Sequence, residues 1–299
     1  MRAHFATPRA AGALCASLRC DSVAAQSPSA ASARRPPARV RPERGSYLLD
    51  VTTIALLLAG GLVAGVVNTL AGGGSLLTVP LLIFLGLPGT IANGTNRVGI
   101  VVQNLTAAWR FRAEGVSGFR DAMPVLAASG AGSLIGAYAI SQVSSALFER
   151  LFGIVMIALL VPMLRGARRS AQRDRAPDAV RPWSGGLRAL VFFGIGVYGG
   201  ALQAGVGIFL LFALSRSGFD LVRANSIKVV VIAALTAVAV PVFVIERQID
   251  WVAASVLIVG FALGGTLGAR LAVVGGERLI RPVLALAIVA MAGRMLGLY

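Results

Sequence analysis

One histidine, two cysteines and a single lysine are all that 299 residues carry of those types, and only 13% of the chain is charged. A soluble domain would carry roughly a quarter. His4, Cys15 and Cys20 all fall within the first twenty residues. The rest of the chain has no thiol and no imidazole, which excludes a Cys/His zinc site, a haem ligand, a structural disulfide and a Cys- or His-based nucleophile. There are twelve acids, and none stands in the middle of an apolar run; Asp50, Glu114, Asp121, Glu149, Asp220, Glu246 and Asp250 sit in loops or at run ends. That removes a buried carboxylate proton relay, a paired-carboxylate hydrolytic site and a carboxylate metal cage. These gaps together predict a protein that is not an enzyme and uses no cofactor or metal.

Arginine is plentiful, with 27 copies and a net charge of +16. Eight of them lie in residues 1–46 and seven in residues 165–188, with almost no aromatics interleaved. Such clusters beside apolar runs report membrane topology rather than nucleic-acid binding. The first 46 residues hold no apolar run of signal-peptide type. They read as a disordered basic cytoplasmic tail, with an organelle transit peptide or residues upstream of the true start as alternatives.

What is present in abundance is hydrophobic residue: 57% of the chain, with a mean hydropathy of +0.80. Residues 47–70, 91–111, 123–140 and 147–164 are each long enough to cross about 30 Å of hydrocarbon as a helix. Residues 187–202, 222–245, 251–271 and 279–296 repeat the plan. Residues 75–87 and 208–214 are apolar but too short to cross, so they read as re-entrant pieces. The expected architecture is all-α and polytopic: repeat 1 at 47–164, a basic linker at 165–188, and repeat 2 at 189–299. Each repeat has about four transmembrane helices and one short re-entrant segment. Because the tail and the linker are the most basic stretches, both are expected on the cytoplasmic side, together with the C-terminus, in the bacterial inner membrane. An even number of crossings per half follows, with the two halves running parallel.

The halves are alike in sequence. Residues 61–164 begin GLVAGVVNTLAGGGSLLTVP and residues 194–296 begin GIGVYGGALQAGVGIFLLFAL. Ala71-Gly72-Gly73-Gly74 lies over Ala204-Gly205-Val206-Gly207, and Gly136-Ala137 over Gly268-Ala269. Matched glycine interruptions, each before a segment too short to span, point to a transporter whose site lies between the repeats. Glycine clusters also serve close helix packing in membranes. Here their pairing favours backbone turns that aim a helix amino terminus at an anion.

The second polar signal follows each interruption. At 100° per residue, Asn93, Asn96, Arg97, Gln103 and Asn104 fall within about 120° of one helix face. Asn225, Lys228 and Thr236 share a face in the second copy, with Lys228 placed over Arg97. A polar stripe on a membrane helix is expected to face the protein interior or a water-filled path; the alternative is snorkelling of both cations to the interface. The candidate substrate-binding set is Asn68, Gly72, Gly73, Gly74, Asn96, Arg97, Gln203, Gly205, Gly207, Asn225 and Lys228. The glycines would expose helix ends, the two cations would supply charge, and the amides would orient oxygens.

The motifs N-T-L-A-G-G-G-S-L-L-T-V-P at 68–80, G-L-P at 86–88, G-T-N-R at 94–97, R-A-N-S-I-K at 223–228, I-D-W at 249–251 and G-A-R-L-A at 268–272 together resemble the sulfite exporter TauE/SafE family of membrane permeases. The resemblance covers about residues 48–297. It implies an inner-membrane permease for sulfite, sulfoacetate or related organosulfur anions. The chain departs from the family in having Arg97 where lysine commonly follows G-T-N, which trades a compact ammonium for a planar fork. A permease for another small organic anion such as a carboxylate, or a membrane assembly partner without transport, are the competing readings. The partners expected are thus a small anion and the lipid bilayer, with no nucleic acid. The charge pattern predicts that cysteines introduced at 88 and 144 label from outside intact cells and that one at 175 does not; the reverse pattern would overturn the assignment of sides.

Overall fold

The computed structural model describes residues 50–170 and 183–274. Among the described residues there are nine helices and no strand: α1 (Val51–Ala71), α2 (Ser75–Phe84), α3 (Gly89–Ala113), α4 (Phe119–Ser141), α5 (Ser145–Ser170), α6 (Gly185–Ala201), α7 (Val206–Arg216), α8 (Leu221–Ile245) and α9 (Trp251–Val274). The all-α, polytopic expectation therefore holds. Four of the helices, α1, α4, α8 and α9, are long and apolar enough to cross a membrane. α3 matches α8 in length, at 25 residues, but carries the polar stripe. The expected tail at 1–46, the middle of the linker at 171–182 and the expected span at 279–296 lie outside the described residues.

Acids mark where helices begin. Asp220 accepts from the backbone N–H groups of Val222 and Arg223 at 3.0 Å each and so caps α8. Asp250 accepts from Ala253 at 2.9 Å at the head of α9. α3 opens after Pro88 with no side-chain cap of its own, and Glu149 from α5 accepts from Gly89 N at 3.0 Å instead. Carboxylates at amino termini satisfy orphan donors and complement the helix dipole. For Asp220, Asp250 and Glu149, a place at the end of an apolar run thus has a structural cause.

Small residues set the packing. Gly61, Gly65 and Val66 of α1 meet Gly260, Gly264 and Gly268 of α9 in that order, backbone to backbone. Ser129 and Ser133 of α4 meet Gly196 and Gly200 of α6 in the same way. These are four-residue spacings of small side chains, which let membrane helices approach closely. Both pairs run in the same direction. α3 also runs with α9, Gly99 lying on Phe261 and Gln103 on Gly265. α8 runs with α4: Arg223 pairs with Asp121, and Leu235 O accepts from Ser133 at 2.6 Å.

α3 and α8 run in opposite directions. Gly94 and Arg97, near the start of α3, lie against Phe243 near the end of α8. Val116, just past the end of α3, accepts from Ser226 near the start of α8 at 3.3 Å. The packing has an approximate two-fold symmetry: α1 packs on α9 as α6 packs on α4, and α3 packs on α9 as α8 packs on α4. The operation exchanges the antiparallel α3 and α8, so it inverts the halves. This corrects the expected parallel arrangement. Loop charge alone suggested parallel halves because it assigned the N-terminal tail and the linker to one side. In the structure Asp50 and Ser184, which precede α1 and α6, lie at opposite ends of the helix bundle.

The register is also refined. α3 and α8 begin and end 132 residues apart, and each is followed by a left-handed residue, Gly115 at φ 80° and Arg247 at φ 55°. Lys228 therefore occupies the rung of Asn96, one residue before that of Arg97.

The two short helices fold back. A side chain at Gly74 would meet Ala64 and Asn68, and one at Gly60 would meet Leu81, so α2 returns down α1 as a helical hairpin. α6 and α7 form the counterpart, Tyr198 stacking edge-on with Phe209 at 5.1 Å between ring centres. By direction, position 216 shares an end of the bundle with Ser184 at the start of α6, and position 246 shares the other end with 88 and 144. In a cysteine-free background, Arg216→Cys is expected to label like Ser184→Cys, and Glu246→Cys like a cysteine at 88. Parallel halves would give the opposite result at both positions.

Candidate anion site

The two hairpin tips are the glycine knots. α1 ends at Gly72, whose φ of 77° is left-handed, and its N–H returns to Asn68 O at 2.9 Å. α6 ends before Gln203 and Gly205, at φ 59° and 63°. Left-handed backbone is cheap for glycine and costly for glutamine. Gln203 is held there by two side-chain bonds: its Oε1 accepts from Arg97 at 3.2 Å and its Nε2 donates to Thr236 at 3.1 Å. The tips touch, since a side chain on Gly72 would collide with the Gly207 backbone and one on Gly207 with Gly72 and the Lys228 stem.

The polar stripes point inward as expected. Asn93, Asn96, Arg97, Gln103, Asn104, Asn225, Lys228 and Thr236 are all buried. Neither cation snorkels. Arg97 donates from Nη1 to Gly199 O at 3.0 Å, and from Nη2 to Gly200 O at 2.6 Å and Ala201 O at 2.9 Å. Its guanidinium lies 4.6 Å from the centre of the Phe243 ring. Lys228 Nζ donates to Asn68 O at 3.2 Å, Thr69 O at 2.6 Å and Asn225 Oδ1 at 2.6 Å. Each cation thus sits on the carboxyl end of the interrupted helix of the other half: Lys228 of α8 on α1, and Arg97 of α3 on α6. The final carbonyls of a helix lack intrahelical partners and carry a partial negative charge. A buried cation at that point satisfies both.

Amides complete the first tip. Asn68 Nδ2 donates to Gln103 Oε1 at 2.5 Å, Gln103 Nε2 donates to Thr69 Oγ1 at 2.6 Å, and Asn68 Oδ1 accepts from Gly74 N at 3.4 Å. Of the expected site residues, Asn68, Gly72, Gly74, Asn225, Lys228 and Gly207 gather at this tip. Arg97, Gln203 and Gly205 belong to the second. Asn96 reaches the first return helix, where its Oδ1 accepts from Thr78 Oγ1 at 2.5 Å. Gly73 lies in the turn between the two arms of the first hairpin, and its carbonyl accepts from Leu76 N at 3.0 Å. Sequence reasoning missed Thr69 and Gln103 as partners within the site, and Ser75 and Thr78 on α2. Ser75 and Thr78 stand three residues apart in an otherwise apolar decapeptide, and that spacing was the available signal.

This geometry is joined by a family match: the model for Sulfite exporter TauE/SafE covers residues 57–295. The chain belongs to the sulfite exporter TauE/SafE family. It is similar to a "Probable membrane transporter protein" of Haemophilus influenzae, 27% identical over 83% of this chain and 96% of the relative. It is similar also to "Probable membrane transporter protein YfcA" of Escherichia coli K12, 25% identical over 84% of this chain and 92% of the relative, and to YunE of Bacillus subtilis, 25% identical over 73% and 88%. No solved structure matches the chain. Membership places it among multi-pass membrane transporters of bacterial type rather than among enzymes. Among the described residues no group of His, Cys, Asp and Glu is arranged to hold a metal.

The capping geometry makes Arg97 a determinant of stability. Arg97→Met strips donors from the carbonyls of Gly199, Gly200 and Ala201 and from Gln203 Oε1, at an expected cost of roughly 3 kcal/mol or more. Arg97→Lys keeps the charge but cannot reach all four acceptors, so it should fall between. Thermal unfolding of the purified protein in detergent measures the order; an unchanged melting temperature for Arg97→Met would show that the cap contributes nothing.

Proposed function

We propose that this TauE/SafE family member is a permease for small anions, with sulfite and organosulfonates of the sulfoacetate type as substrates. The observation that carries the reading is the meeting of two helical hairpins, entering from opposite ends of the bundle, with a buried cation from the other half at each tip. Helices interrupted in the middle of a membrane are tolerated where they line a substrate path, and inverted repeats place that path at the repeat interface. In this reading α1–α2 and α6–α7 are the re-entrant elements, longer than the short segments first assigned that role.

In this reading the tips would sit near mid-depth of the bilayer, with the contact between Gly72 and Gly207 as the closed form of the path. Opening on one side at a time requires one packed body of helices to rock against the other. The small-residue seams α1–α9 and α4–α6, each uniting helices from both halves, would move as rigid units. α3 and α8 would then slide antiparallel between them.

Inversion also bears on orientation. The α3–α4 loop with Arg110, Arg112 and Arg120, the end of α5 at Ser170, the start of α6 after Ser184, Arg216, Arg223 and Arg270 all lie towards one end. The positive-inside rule makes that end cytoplasmic. Arg216 and Arg270, which fit badly in a parallel arrangement, then agree with the rest. The N-terminal tail would join the chain at the opposite face.

Lys228 is the charge partner in this reading. Lys228→Met is expected to abolish flux of labelled sulfite in proteoliposomes, while Lys228→Arg retains part of it. Loss of the ammonium from a low-dielectric site should weaken anion binding by roughly a hundredfold or more. Wild-type rates and half-saturation for Lys228→Met would overturn the assignment. A panel of sulfite, sulfoacetate, taurine and simple carboxylates tests the substrate class, and preference for carboxylates would replace the sulfur anions.

A further inference from the structure

The two hairpins are alike in path but not in the chemistry of their return helices. α2 begins Ser75-Leu76-Leu77-Thr78, while α7 begins Val206-Gly207-Ile208-Phe209. At the 133-residue offset of the knots, Ile208 replaces Ser75 and Leu211 replaces Thr78. The rung of Asn96 on α3 is taken by Lys228 on α8. The first tip therefore carries neutral hydrogen-bond donors that the second has lost.

Two of those donors are without partners. Ser75 Oγ and Asn96 Nδ2 are buried, in residues 1% and 0% exposed, and neither makes a hydrogen bond in the structure. Both lie beside the first turn of α2. Thr78 donates to Asn96 Oδ1 at 2.5 Å, which fixes the amide against α2 and leaves its Nδ2 hydrogens directed elsewhere. Ser75 lies three residues before Thr78, on the same face and one turn nearer the amino end of α2. A buried donor left without a partner is costly, and two beside the first turn of one helix suit a negative oxygen. The Lys228 ammonium lies across the same tip, on the Asn68 and Thr69 carbonyls.

Resting on the permease reading above, we propose that the transporter has one asymmetric oxyanion subsite, at the first tip. Ser75 Oγ and Asn96 Nδ2 donate to one or two oxygens of the anion, the amino end of α2 faces it, and Lys228 balances its charge. Arg97 stays on the α6 carbonyls and organises the second tip without touching substrate. The ligand class is a compact anion with at least two oxygens, such as sulfite, a sulfonate or a carboxylate head. A halide offers one spherical acceptor and not two oxygens held apart, so it binds more weakly. The pseudo-symmetric protein thus has one binding site and not two.

Sulfite is the probe, with chloride as the contrast, in two measurements: sulfite-dependent thermal stabilisation of the purified protein, and sulfite flux into proteoliposomes. Ser75→Ala and Asn96→Leu are each expected to raise the sulfite concentration for half-stabilisation at least tenfold. Ser75→Thr, which keeps the hydroxyl, should recover most of the loss, and Ile208→Ala in α7 should leave the value within twofold. Unchanged half-stabilisation for both Ser75→Ala and Asn96→Leu overturns the subsite, because the donors then face water only. Equal losses from Ile208→Ala overturn the asymmetry. Sulfite binding with these variant effects but no wild-type flux keeps the subsite and sinks the permease reading. Flux that ignores Ser75 and Asn96 keeps the permease and sinks the subsite. Wild-type protein that neither binds nor moves sulfite overturns both.

Discussion

A buried cation on the carboxyl end of a broken helix is the interaction on which the arrangement depends. A helix end buried away from water leaves up to four carbonyls without donors. Lys228 answers this at α1 and Arg97 at α6. Each cation is supplied by the opposite half. Neither hairpin can be completed by its own repeat, so the two halves are bound together at the place where their backbones are least regular. The same exchange solves the cation's problem, because the carbonyl dipoles replace water around a charge that would otherwise be costly to bury.

The exchange is not symmetrical in detail. The guanidinium fork of Arg97 meets three carbonyls and the Gln203 side chain, and stacks on Phe243. Lysine is a point charge with three rotatable donors and a flexible stem, which turns between partners more readily. A planar fork with every acceptor placed suits a fixed joint. In the proposed permease, an ammonium on two carbonyls and an amide suits a charge that also meets the anion. The single lysine in a chain that otherwise uses arginine fits this division of labour.

Much of this was legible in the residues. The paired glycine knots, the short segments behind them and the inward polar stripes were read from spacing, and the structure puts Gly72 against Gly207 and buries every stripe residue. What spacing could not give was direction. Hydropathy marks a helix but not which way it runs. Loop arginines assigned the sides only by treating the N-terminal tail and the linker as equivalent. Contacts such as Gly94 with Phe243 and Val116 with Ser226 exist only in three dimensions, and they invert the second half. The role of the cations was half legible for a similar reason. Their burial followed from the polar stripe, but their carbonyl partners are backbone atoms, which leave no trace in side-chain sequence.

Inversion changes what the sequence repeat means. Two halves of opposite direction that share a central contact have two related conformations available, one the approximate mirror of the other in the exchange of inner and outer ends. Identical halves would make those conformations equal in energy and give no preference between the two sides. Among the differences between the halves, Ser75 against Ile208, Thr78 against Leu211 and Asn96 against Lys228 fall at the tips and on the helix faces next to them. The seams that hold the bundle keep small residues in both halves: Gly61 and Gly65 of α1, Gly196 and Gly200 of α6. In the proposed permease the scaffold is alike in both halves where it packs rigidly, and unlike where it must tell one end of the path from the other.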